Sequence, residues 1–166
     1  MRIIKILLLM LLIILIDRRA NGQVYLADKT DKPYYIINDE LTNQWIKNLL
    51  SKLKSSTFKI EEKPVNNIHN SRITDTIKIL KSGRTEIEFY ITEDRLILQS
   101  AIILDTTIVL DNKIKVGISK ETLSKAAKEE ISNDLLRIGY LEGQQYFEFK
   151  FKNEILYSII YCGIPD

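Results

Sequence analysis

Reactive side chains are scarce in this 166-residue chain, which holds a single histidine, His69, and a single cysteine, Cys162. His69 falls in the polar stretch 64–71 and reads as a solvated loop residue rather than a general base. Without a second histidine or a cysteine cluster, zinc and copper lack their usual ligand sets. Cys162 has no partner for an internal disulfide and, between Tyr161 and Gly163 at the end of an apolar strand, reads as a buried small hydrophobe. No Gly-x-Ser-x-Gly elbow occurs. Ser51-Lys52-Leu53-Lys54 matches Ser-x-x-Lys by letter only, on the solvated end of a helix. Acid–base hydrolysis asks for two carboxylates, and Glu86 with Glu88, Glu61 with Glu62, and Asp105 with Asp111 are the nearest pairs. On strand faces and turns such acids keep edges soluble, and Asp105 and Asp111 lack the dense oxygen spacing of a calcium loop. What remains is the chemistry of recognition. Tyr90, Tyr146, Tyr157 and Tyr161 all lie in strands and are the candidate binding residues, since tyrosine joins apolar area to a polar tip. The expectation is a chain with no catalytic residue, metal site or cofactor.

The elements that must position these tyrosines follow from hydrophobic periodicity. Leu41, Trp45, Leu49, Leu50 and Leu53 recur at helical spacing behind Asp39 as N-cap, predicting a helix over 39–54 with Trp45 as a core anchor. Strands are expected at 58–61, 76–81, 85–91, 96–104, 107–109, 113–116, 135–141, 145–151 and 155–161. The clearest is 85–91, where Ile87, Phe89 and Ile91 alternate with Glu86, Glu88 and Tyr90. Asp111-Asn112 reads as a hairpin turn, residues 64–71 as a loop. Ser119 as N-cap and Glu121 in the first turn open a second, short helix over 119–128, packed by Leu123, Ala126 and Ala127. The sum is an α+β domain: an antiparallel meander of six to eight strands with two helices packed on one face.

The N-terminus carries an address. Arg2 and Lys5 precede an uninterrupted apolar run, 6–16, and small residues stand at Ala20 and Gly22, as in a secretory signal peptide cleaved near Gly22. Eleven apolar residues fall short of the roughly 20 that span a bilayer. The expected organisation is a signal peptide over 1–22, an N-terminal arm over 23–38 and one domain over 39–166. The leader holds four of the 24 basic side chains and one of the 22 acidic ones. The mature chain therefore carries 20 against 21, a net charge of −1, which leaves no electrostatic footprint for nucleic acid or an anionic membrane. A periplasmic or secreted location and a bacterial envelope context are the corresponding expectations.

Two further patterns bear on function. At an offset of sixty residues Gly83 echoes Gly143, Glu88 echoes Glu148, Phe89 echoes Phe149 and Leu96 echoes Leu156, as a duplicated hairpin would. Second, Val116-Gly117-Ile118-Ser119-Lys120-Glu121, followed after a helix by Tyr146-Phe147-Glu148-Phe149-Lys150-Phe151, Asn153 and Leu156, makes residues 113–161 resemble the SmpA/OmlA envelope lipoprotein domains and the β-lactamase inhibitor protein-like domains. The Gly-x-Pro usual after the helix is replaced by residues 130–134, and the lipoprotein cysteine is absent. The resemblance implies protein binding without catalysis. The function expected is thus a small exported non-enzymatic binding protein, inhibitor-, assembly- or immunity-like, with an envelope or extracellular protein as partner. A small-ligand or lipid carrier, or a small hydrolase, on a cupped sheet is the alternative.

Overall fold

Alternation of apolar and polar residues in the middle and last third of the chain builds, among the described residues, one mixed sheet of eight strands with two helices. The computed structural model describes residues 32–163 apart from Ile68 and Asn112, so the leader, most of the N-terminal arm and half of the Asp111-Asn112 turn lie outside the described residues. The elements run β1 (Tyr34–Ile37), α1 (Asp39–Ser51) with a 3-10 turn (Lys52–Lys54), β2 (Lys59–Asn66), β3 (Thr74–Ser82), β4 (Thr85–Ile91), β5 (Leu96–Ile103), α2 (Lys120–Ala127), β6 (Leu135–Gly139), β7 (Tyr146–Lys152) and β8 (Ile155–Cys162). Their order across the sheet is β1-β6-β7-β8-β5-β4-β3-β2.

Two antiparallel meanders, β2–β5 and β6–β8, meet where β5 pairs antiparallel with β8, Ser100 opposite Cys162 and Ile103 opposite Ile159. The hairpins that echo each other in sequence, β4–β5 and β7–β8, therefore lie side by side at the centre. Each carries a bulge in its second strand, at Gln99 and at Tyr157. The expectation of an antiparallel meander needs one correction, because β1 runs parallel to β6, Tyr34 beside Leu136 and Ile37 beside Gly139. Tight hairpins force antiparallel pairing; about a hundred residues separate these two strands, and no such constraint acts. The sheet thus takes in Tyr34–Ile37, which the sequence assigned to the arm.

One face of the sheet holds the core. Ile36, Leu80, Ile87, Phe89, Leu98, Ile103, Leu136, Ile138, Phe147, Phe149, Leu156 and Ile159 belong to a single cluster that takes in Trp45 and Leu49 of α1 and Leu123 and Ala127 of α2. Trp45 is fully buried, edge-on to Phe147 at 5.3 Å and Phe149 at 5.4 Å between ring centroids. Truncating such an anchor costs about 3–5 kcal/mol. The cap of α1 is Asn38, whose Oδ1 accepts from Leu41 N–H at 3.0 Å, one residue earlier than expected. Ser119 caps α2 as predicted.

Residues 107–109 and 113–116 are irregular rather than strands. Ile108, Leu110 and Ile114 are nonetheless buried to 1 % or less, held by a turn in which Leu110 N–H reaches Ile114 O at 2.8 Å. The place beside β5 that such a strand would need is taken by β8. Conversely, β2 runs through Pro64 to Asn66, where a loop was expected, because on an edge strand the missing proline donor faces away from the ladder.

Two charged side chains staple turns to the body. Asp105, just past β5, accepts Arg84 N–H at 2.7 Å, Thr85 Oγ1–H at 2.9 Å and Thr107 N–H at 3.0 Å, which ties down the β3–β4 turn at Gly83. Burial opposes its charge, but the bonds from Thr107, Arg84 and Thr85 outweigh it and bring the carboxyl down to about 2. Lys120, at the start of α2 and only 4 % exposed, donates to Asp134 Oδ1 at 2.8 Å and Glu154 Oε1 at 2.9 Å, and its ammonium lies 5.5 Å from the Phe151 ring centroid. Here too burial opposes the charge, and the two carboxylates overcome it to hold the ammonium above its ordinary value. It fastens the β7–β8 turn, whose Asn153 and Glu154 both sit at positive φ, 50° and 63°.

Candidate functional site

The period of two that sends Phe147 and Phe149 into the core sends Tyr146, Glu148 and Lys150 to the opposite face. On the neighbouring strands that face receives Tyr35 and Arg137 on one side and Ser158, Ile160 and Cys162 on the other, by the observed registers. It continues through Ser100 and Ile102 of β5 and Glu86, Glu88 and Tyr90 of β4 to Lys81 of β3 and Glu61 of β2. The buried side chains of both helices join the core cluster on the other face.

Two ionic ladders border this face. On one side Arg137 donates from Nε and Nη2 to Glu148 Oε2 at 2.9 and 2.8 Å, Lys150 reaches Glu148 Oε1 at 3.1 Å, and the guanidinium lies 4.5 Å from the Tyr146 ring centroid. Burial opposes the Glu148 charge, yet Arg137 and Lys150 hold the carboxyl below its usual value. On the other side Lys81 bridges Glu61 at 3.0 Å and Glu86 at 3.6 Å. Between them runs the seam of β5 and β8, with Ile102 43 % exposed and Ser100, Ile160 and Cys162 half-buried. The face thus carries one exposed isoleucine and half-buried neighbours between two charged ladders.

The four candidate tyrosines do not share that surface. Tyr146 is on it, half-buried, 6.4 Å from Tyr35 in an edge-to-face pair. Tyr90 is on the same face but buried, its hydroxyl bonded to Asp75, itself 2 % exposed. Tyr161 points the other way, into the core, 4.8 Å from Phe147; its hydroxyl donates to Gln145 Oε1, and burial pushes its phenol well up. Tyr157 is exposed at the β8 bulge. Of the four candidates, Tyr90 and Tyr161 are thus buried, at 7 % and 2 % exposure, whereas Tyr146 and Tyr157 reach the surface. Cys162 is not a buried hydrophobe; it stands half-buried on the open face, opposite Tyr146. His69 is exposed in the loop after β2, its backbone N–H on Asn67 Oδ1 at 2.9 Å.

Three residues of the face escaped the sequence reading: Tyr35, Arg137 and Ile102. The Tyr35 hydroxyl donates to Tyr140 O at 2.9 Å across Gly139, where a Cβ would come within 2.5 Å of that hydroxyl and 2.4 Å of Gln145 O. A glycine at 139 is thus what lets the tyrosine lie flat over β6. The signal for Arg137 was its register opposite Glu148, which needs the β6–β7 pairing to be known.

A groove of about 230 Å³ lies between α1 and the sheet, lined by Ile46, Leu50, Leu96, Leu98, Tyr140 and Tyr161. Among the described residues no group of three or more His, Cys, Asp or Glu side chains is placed to hold a metal ion, and no helix is long and apolar enough to cross a membrane. Comparison with protein-family models, curated proteins and solved structures finds no match to this chain.

Proposed function

We propose that this chain is an exported, non-enzymatic binding protein that recognises a protein partner of the envelope or extracellular space through the helix-free face of its sheet. The observation that carries the reading is the exposed apolar seam at Ile102, bordered by the Arg137–Glu148–Lys150 and Glu61–Lys81–Glu86 ladders. The resemblance of residues 113–161 to envelope lipoprotein and inhibitor-protein domains, which implies protein binding, points the same way. Carriage of a small ligand is the weaker reading, since the groove under α1, at about 230 Å³, falls below the roughly 300–1,000 Å³ of most small-molecule sites.

Affinity capture from an envelope fraction tests it, with the wild-type protein and Ile102→Lys run in parallel. A charge at this exposed position leaves the core intact and removes the centre of the proposed surface. A partner retained by the wild type and lost from the variant is the expected result. Equal capture by both, or copurified lipid in place of protein, would overturn the reading.

A further inference from the structure

The two edges of the sheet differ in a way that the open face does not explain. The β2 edge is guarded by Lys59, Glu62, Lys63 and Pro64, the charges and proline that block strand addition. The β1 edge reads Tyr34-Tyr35-Ile36-Ile37, with no charge and no proline, and Ile37 is 55 % exposed.

Its backbone can be followed group by group. Asn38 N–H donates to Gly139 O at 3.0 Å, so Asn38 faces β6. In a parallel ladder N–H and C=O of one residue point to the same side, and successive residues alternate. Ile36 and Tyr34 therefore also face β6, while Tyr35 and Ile37 turn N–H and C=O to the outside. Among the described strands none lies there. The Tyr35 side chain does not shield these groups, since its hydroxyl is drawn inward over Gly139 to Tyr140 O.

The geometry points to self-association: two copies of this chain join antiparallel through β1, each Tyr35 opposite Ile37 of the other, to make one continuous sheet. Opposed residues in an antiparallel pair share a face, and in this register they do. Tyr35 meets Ile37 on the open face, and Ile36 meets its own copy on the core face. All four outward amide groups and their carbonyls are then used, giving four backbone hydrogen bonds related by a two-fold axis. Both Tyr–Ile pairs are of the aromatic–β-branched kind that stabilises sheets. A second copy is favoured over an extended peptide because the matching strand is already extended and has the same outward residues. A join four residues long is far smaller than an obligate interface, so the dimer is weak and reversible. This inference is independent of what the open face binds.

Sedimentation velocity on the purified protein, its N-terminus fixed by mass spectrometry, reads the association from micromolar to millimolar concentration. Reversible dimerisation is expected, weakened by at least about tenfold in Ile37→Lys, which puts a charge into the join. Amide exchange on the wild type checks the register without any variant. Tyr35 and Ile37 amides should gain protection as concentration rises, while Ile36 stays protected throughout. A monomer across the whole range sinks the proposal. So does a dimer that leaves those two amides unprotected or is indifferent to Ile37→Lys, or an edge found occupied by another protein's segment.

Discussion

Asp105 and Lys120 do the same job in the two halves of the molecule with opposite charge. Each is one side chain that fixes a hairpin turn to a distant part of the fold, Asp105 at the β3–β4 turn and Lys120 at the β7–β8 turn. The turns differ in what they offer. The first is opened by Gly83 at φ 58°, and presents backbone N–H and hydroxyl donors, so an acceptor is called for. The second is built on Asn153 and Glu154 in the left-handed region, and Glu154 presents a carboxylate, so a cation is called for. Non-glycine residues tolerate that region only where surrounding contacts hold them there. The sign of each staple is therefore dictated by the turn it holds.

The comparison predicts a graded series of effects. Replacing Lys120 with Met should be the most damaging, about 2–3 kcal/mol, because two charge-assisted hydrogen bonds that fasten the β7–β8 turn are lost while the buried methylenes are kept. The urea midpoint should fall with the slope unchanged. Asp105→Asn should follow at about 2 kcal/mol, the loss of several charge-assisted bonds offset in part by the retained amide oxygen.

The two losses should also separate on the pH axis. Asp105 has an ordinary value of 3.8 and a folded value of about 2, so its contribution is complete above about pH 4 and fades as the pH falls toward 2. Lys120 is held above its ordinary 10.5, so its contribution is complete below that value and is lost as the pH rises through the higher folded one. Asp105→Asn should flatten the acid limb of the stability profile and leave the alkaline limb alone; a flattening of both would break the comparison. Gly83→Ala comes next at about 1 kcal/mol, since φ is positive and the new methyl would stand 2.7 Å from Asp105 Oδ2. Smallest is Asn153→Gly, a gain of no more than about 0.5 kcal/mol as the left-handed strain is relieved, read as a slight rise in the same midpoint.

Local pattern carried the parts of the fold that local physics decides. Strict alternation marked β4 and β7, the stripe of Leu41, Trp45 and Leu49 marked α1, and Ser119 marked the start of α2. Pattern misled where burial and pairing part company. Ile108, Leu110 and Ile114 are as buried as any strand residue, yet no neighbour is free to pair with them. Residues 64–66 read as loop because nothing in the sequence says that β2 is an edge strand, where Pro64 is tolerated. The parallel β1–β6 pair was out of reach for the same reason, being set by a contact about a hundred residues apart. For the candidate site, composition identified tyrosines but not their faces. Tyr90 is shut in by its bond to Asp75, Tyr161 is turned inward by parity with Phe147, and Arg137 and Ile102 acquire meaning only through register.

Trp45 is the only tryptophan in the chain, fully enclosed between two phenylalanine edges with no hydrogen-bond partner for its indole N–H. Its fluorescence should therefore be strongly blue-shifted and deaf to soluble quenchers such as acrylamide or iodide. Because the ring is seated where α1 meets the sheet, any loosening of that junction would redden the emission before the strands themselves come apart. The protein thus carries an intrinsic optical gauge of one seam, with no label required.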